Sequence, residues 1–122
     1  MTFHDGTDFN AEAVVFNVNR WWDPDFEYGF RDEGKLYEIW TYLFGGFKGD
    51  EASILADVRA VDDLTVEFEL AEPFAAFPAA IASAYFGIAS PTAVQESGAD
   101  YGTPSGLAVG TGPFVFEEWL SG

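Results

Sequence analysis

Between Leu64 and Leu70 the chain reads Leu-Thr-Val-Glu-Phe-Glu-Leu, a strict alternation of apolar and polar side chains. No other stretch narrows the fold as much. A period of two places Leu64, Val66, Phe68 and Leu70 on one face of a strand and Glu67 and Glu69 on the other, so one face of an antiparallel sheet has to pack on something. The run before it, Ile54 to Val61, leads into Asp62-Asp63 as a two-residue turn, and the two runs together predict a hairpin.

A helix is at hand to cover that face. Asn10 is a suitable N-cap, Glu12 follows at the positive end of the helix dipole, and Ala11, Val14, Val18, Trp21 and Trp22 recur at helical spacing before Asp23-Pro24 ends the run. Residues 23 to 35 hold no sustained period and read as a loop, while Leu36 to Leu43 is open to helix or strand. Phe74 to Ser83 suits a short helix provided Pro78 sits in its first turn. Tyr85 to Ala89 reads as a short buried strand, and Ser90-Pro91 as N-cap and first residue of a helix that reaches about Ser97 and stops at Gly98. Pro113 to Trp119, with Phe114 and Phe116 alternating against Val115 and Glu117, reads as a last strand. Helices mixed with antiparallel strands predict an α+β fold, a small antiparallel or mixed sheet of three to five strands packed on the Asn10 to Trp22 helix, in one domain over residues 1–122.

Composition sets the limits on partners. Among 122 residues there are 21 acids, 5 bases and no cysteine, for a formal charge of −16. The missing thiols exclude a disulfide framework and a thiolate metal site. So acidic a surface offers no cationic stripe to nucleic acid or to anionic lipid. The charge is also uneven, since residues 62 to 122 carry nine acids and no base. The longest low-charge stretch, Pro73 to Val94, is broken by Pro78, Ser83, Ser90 and Pro91, which predicts no membrane-spanning helix. The opening Met1-Thr-Phe-His-Asp-Gly lacks the basic and apolar regions of a signal peptide.

Motifs for chemistry are weak. Asp5-Gly6-Thr7 has the order of an aspartic protease triplet and reads equally as a turn. Asp23, Asp25 and Glu27 alternate like the start of a calcium loop, but Tyr28 and Gly34 stand where such a loop needs glycine and glutamate, so a capped helix end and loop is the better reading. His4, the single histidine, has no cysteine or second histidine to share a metal and no activated serine to serve, which leaves it a structural role. Gly110-Thr-Gly-Pro113 lacks the Lys-Ser/Thr of a phosphate loop. The stronger signal is ten aromatic side chains between Trp21 and Phe47. Half of them suit a core, and the rest either cover a partner or line a ligand cleft. One reading of such a surface is a carbohydrate-binding or adhesion module with Trp21 and Trp40 as its anchors.

Four ordered segments carry a more specific signal: FHDGTDFNAEAVVFNVNRWWDP, VRAVDDLTVEFELAEPFAAF, IASP and VGTGPFVFEEW. In this order they resemble the family 5 extracellular solute-binding proteins of ABC importers, the dipeptide, oligopeptide and nickel binders, with Asp8 standing where the family usually has proline. The resemblance implies a periplasmic-binding-protein-like fold of which this stretch is the smaller, outer subdomain of the N-terminal lobe, a fragment of a two-lobed receptor. It implies no enzyme activity, no cofactor, a peptide or other small solute as ligand, an ABC transporter permease as partner, and a periplasmic or cell-surface location for the parent protein.

The same resemblance places ligand contacts on the loop after the first helix and on the segment before the Ser-Pro, which here points to Tyr28, Phe30 and Tyr85. Nickel-type members look to arginine near that segment, and Ala84 and Gly87 stand there instead, which argues against metal-chelate binding. It also implies that apolar surface is left near Phe3 and Gly112 to Trp119, where the larger lobe would pack, and hence self-association.

Overall fold

Asn10 begins helix α1 (Ala11–Trp22) by accepting the Ala13 N–H on its side-chain oxygen at 3.0 Å. This is the cap its position predicts, and it relieves one of the unpaired amides of the first turn. The computed structural model describes all 122 residues. At the other end Arg31 closes the helix, donating to the carbonyl oxygens of Arg20, Asp23 and Trp21 at 3.0 to 3.1 Å. Its guanidinium lies over the rings of Tyr37 and Phe47 at 4.8 and 5.0 Å, which fixes the loop after the helix to the body of the fold.

The predicted hairpin forms, but its two-residue turn is Asp63-Leu64 rather than Asp62-Asp63, and Leu64, expected on the packed face, is 87% exposed at the tip. Strands β1 (Leu55–Asp62) and β2 (Thr65–Leu70) pair antiparallel with Val58 opposite Phe68 and Ala60 opposite Val66. A register shift between Leu55 and Asp57 lets Leu55 and Val58, three residues apart, both turn toward the core. On the outer face Arg59 bonds the carboxylates of Asp57, Glu67 and Glu69, a solvated cluster that contributes little to stability. The Leu64 N–H donates to Asp62 at 2.9 Å, and together with the Thr65 hydroxyl it holds the Asp62 carboxyl below its ordinary value. The tip is docked as well, since Asp63 O accepts the Ala11 N–H at 2.8 Å.

Three short helices complete the unit. Helix α2 (Glu38–Phe44) settles the ambiguous aromatic run in favour of helix and ends at Gly45, whose φ of 84° and close approach to Ala52 O exclude a side chain. Helix α3 (Phe77–Ile81) carries Pro78 in its first turn, as required. Helix α4 (Pro91–Ser97) is capped by Ser90 Oγ, which accepts the Ala93 N–H at 3.2 Å, and ends at Gly98.

The core lies between α1, the inner face of the hairpin, α2, α3 and Phe86. It is unusually aromatic: Trp40 meets Phe44 at 4.5 Å and Phe86 at 5.6 Å, and Trp21 meets Phe86 at 5.1 Å between ring centres. The indole N–H groups of Trp22 and Trp40 donate to Ser53 Oγ and Gly46 O, so these large side chains are buried without orphaned donors.

Four expectations are corrected. The fold is α+β, but its sheet has two strands rather than three to five. Tyr85 to Ala89 is not a strand: Ala84–Phe86 forms a 3-10 turn, and the extended residues after it pair with a side chain. Fully buried Asn17 donates to Ala89 O at 2.8 Å and accepts the Ala89 N–H at 3.1 Å, taking the place a neighbouring strand would fill. Pro113 to Trp119 makes no ladder, and Phe114 is 88% exposed because no strand lies beside it. Phe3, in contrast, is buried at 2% exposure and stacks near Phe9, so it adds nothing to the apolar surface.

Candidate functional site

Two 3-10 turns, Glu27–Gly29 and Arg31–Glu33, flank Phe30 in the loop that Arg31 anchors. Phe16 on α1 extends this loop into an aromatic series, with ring centres 5.3 Å to Phe26, 5.5 Å to Tyr28, and 6.2 Å from Tyr28 to Phe30. Phe30 adopts φ 52°, left-handed backbone that costs a bulky residue roughly 1–2 kcal/mol. Its carbonyl holds that conformation by accepting the N–H groups of Glu33 and Lys35 at 3.1 and 3.2 Å. Phe30 lines a cavity of about 420 Å³ with Phe26, Arg31 and the acids Asp25, Glu27, Asp32 and Glu33. Burial pushes the Arg31 guanidinium below its ordinary value, partly offset by Tyr37 and Asp23.

Tyr85 stands elsewhere. It projects from its 3-10 turn at 68% exposure while its neighbour Phe86 fills the core. Its ring belongs to two adjoining walls. One bounds a groove of about 370 Å³ with Leu36, Tyr37, Ile39 and Trp40, and the other a cavity of about 380 Å³ with Arg20, Trp21 and Tyr101. None of the five main cavities has both Phe30 and Tyr85 in its wall. The structure therefore brings Tyr28 and Phe30 together and sets Tyr85 apart from them.

The polar groups are arranged for holding rather than for reacting. Ser90 Oγ is shared between the Asp5 carboxylate and the start of α4, and Thr7 donates its N–H and hydroxyl to Asp5 at 3.0 and 2.6 Å. Burial raises the Asp5 pKa, but these hydrogen bonds outweigh it and hold the carboxyl below its ordinary value. His4 donates through Nε2 to Gly112 O at 2.7 Å, the structural role its isolation suggests. Asp23 is engaged by the Asp25 N–H at 3.0 Å and by Lys48 at 3.3 Å, the turn reading of that acidic run. No three His, Asp or Glu side chains converge as metal ligands. Trp21 and Trp40 lie in the core at 7% and 1% exposure, so neither offers the open face on which a sugar would stack.

Sequence reading overlooked Arg20. It was one base among five, on a helix read for its apolar face, and only the structure sets it in a cavity wall.

Fold and sequence together define the class: the profile described as bacterial extracellular solute-binding proteins, family 5, middle segment, matches residues 1–122, and the chain belongs to this family of non-enzymatic binding proteins. Its relatives include the glutathione-binding protein GsiB of Shigella flexneri, 33% identical over 117 residues, and that of Escherichia coli K12, 32% identical over the same length. Each match covers 96% of this chain and 19% of the relative, so the chain spans about a fifth of the curated relatives it matches. Among solved structures, HbpA2 from Haemophilus parasuis superposes with a TM-score of 0.73 at 28% identity, over 98% of this chain and 24% of that one. No helix is long and apolar enough to cross a membrane.

Proposed function

We propose that this chain is the outer subdomain of the N-terminal lobe of a two-lobed receptor that captures a peptide-class solute outside the cytoplasm for an ABC importer. The observation that carries the reading is the family match along the whole chain. The names of the GsiB relatives agree with it, glutathione being a tripeptide. In this reading Tyr28, Phe30 and Tyr85 offer aromatic faces to the ligand: rigid side chains that cover much area for little lost rotamer freedom. The left-handed backbone of Phe30 supports its part, because strain of this kind is kept where a side chain must be aimed. The cavities, each near 400 Å³, are of a size for small solutes.

The test is an NMR titration of the chain with di- and tripeptides, with a nickel chelate and a trisaccharide alongside. Peptides should shift the ring signals of Tyr85 or of the Tyr28-Phe30 pair, and Tyr85→Ala should weaken that response without unfolding the chain. A saturable response to the sugar or the chelate, with none to any peptide, overturns the reading.

A further inference from the structure

We propose that Arg20 is the carboxylate anchor of a binding site formed by the cavity between α1, the Ala84–Phe86 turn and Tyr101, and that this site takes a small monocarboxylate peptide with an apolar residue beside the carboxylate. This deepens the solute-binding reading and rests on it. The first observation is electrostatic. In a chain of 21 acids and 5 bases, the wall of this cavity holds one arginine and not a single Asp or Glu. Arg59 lies among three carboxylates, Lys48 is paired with Asp23, and Arg31 spends its donors on three carbonyls. Arg20 and Lys35 have no carboxylate partner, and of these two only Arg20 lines one of the five main cavities.

The second observation is that the guanidinium is held in place yet left unsatisfied. Its Nη1 donates to Asn17 Oδ1 at 3.0 Å, and Asn17 is itself fixed by Ala89 and by Ala13 O. Its Cζ lies 5.5 Å from the centre of the Tyr101 ring, and that ring is locked by the Tyr101 hydroxyl, which accepts the Val109 N–H at 3.0 Å. The Nε is buried with no hydrogen-bond partner, and Nη2 donates to nothing. The buried Nε is sealed from a ligand's reach, whereas Nη2, equally without a partner in the chain, is not buried and is the donor that a carboxylate in the cavity meets. A ligand carboxylate accepting from Nη2 gains a charge-assisted bond at little cost in ordering, because the arginine is already oriented.

The third observation fixes the rest of the ligand. Tyr85 and Trp21 line both this cavity and the groove formed by Leu36, Tyr37, Glu38 and Ile39, so the two adjoin at the Tyr85 ring. A solute whose carboxylate reaches Arg20 lays its neighbouring group on Tyr85 and toward that groove, whose single acid, Glu38, disfavours a second carboxylate there. The chain's charge of −16 adds a selection against anionic solutes, which meet long-range repulsion, whereas a zwitterionic peptide, whose single carboxylate is balanced by its amino group, does not.

The experiment compares Gly-Gly-Phe with its C-terminal amide by NMR titration of the chain, following the Arg20 Nε–H and the Tyr85 and Tyr101 ring signals. The free acid should bind about tenfold or more tightly than the amide, as expected for a charge-assisted hydrogen bond, and should move the Arg20 signal. Arg20→Gln should close the gap between acid and amide, and Arg20→Lys, which keeps the charge but loses the planar fork of donors, should narrow it. Tyr85→Ala should weaken both forms by the same factor and keep the gap. If Arg20→Gln does not fold, the acid-to-amide ratio in the unaltered chain decides alone. Equal binding of acid and amide overturns the carboxylate anchor and leaves solute binding intact, and no saturable response to either form overturns the Arg20 site, whereas the receptor reading itself falls only on the sugar or chelate response described above. Displacement of the peptide by inorganic phosphate at comparable concentration overturns the selection for a monocarboxylate.

Discussion

Replacing Asn17 by alanine tests the part of the fold that least resembles ordinary secondary structure. The Asn17 amide bonds both backbone groups of Ala89, and Ala89 is itself buried, so water does not readily replace the lost partner. Leaving a buried backbone donor and acceptor unsatisfied costs about 2 kcal/mol each, or about 4 kcal/mol together. Alanine returns about 0.5 kcal/mol through its better helix propensity at this position in α1. The net expectation is a loss of about 3–4 kcal/mol, a large share of the stability of a chain this size and enough to lower Tm by roughly 10–15 °C. Urea unfolding followed by the fluorescence of Trp21 and Trp22, on the same helix, reads it directly. Asn19→Ala is the control: Asn19 is half-buried on the same helix, its side chain makes no hydrogen bond within the protein, and its loss should stay within about 0.5 kcal/mol. A loss below about 1 kcal/mol for Asn17→Ala would refute the argument, because it would mean that the segment before α4 does not depend on a side chain standing in for a strand.

Two other outcomes follow from the structure. Asp5 has a lower pKa folded than unfolded, so its stabilisation is fully present above the unfolded value near 3.8 and disappears as pH falls through the lower folded value; Asp5→Asn should therefore reduce Tm at neutral pH, with the difference from the unaltered chain closing under acid conditions in melts across pH 2 to 7. Phe114 and Leu120 are 88% and 81% exposed, so light scattering should show association that rises with protein concentration and falls in the Phe114→Ser, Leu120→Ser double variant; a monomer at all concentrations in both would count against it.

Elements governed by local chemistry were legible in the sequence. Asn10, the Ser90-Pro91 pair and Gly98 act through neighbours in the chain and appear where their residues place them, and the alternating hairpin does so apart from a one-residue shift of its turn that leaves Leu64 outside. What could not be read depends on partners distant in sequence. Tyr85 to Ala89 has a strand's composition, but strand geometry needs a neighbour, and here the neighbour is an asparagine 72 positions away. Phe114 to Trp119 alternates correctly and has nothing to pair with. The aromatic run divided as its mixed character suggested, with Trp21, Trp22, Trp40 and Phe44 inside and Tyr42 outside. Of the candidate site, aromatic residue types were visible but their grouping was not. Arg20 went unnoticed because its interest lies in having no acid beside it, a property of space and not of order along the chain.

His4 and Gly110 are joined through backbone at 3.0 Å, although more than a hundred residues separate them. Everything between leaves and returns at one point, like a bud on a stem. Such a unit can be transplanted into a surface loop of an unrelated host, or exchanged between relatives, while asking of its recipient only two attachment points a few ångströms apart.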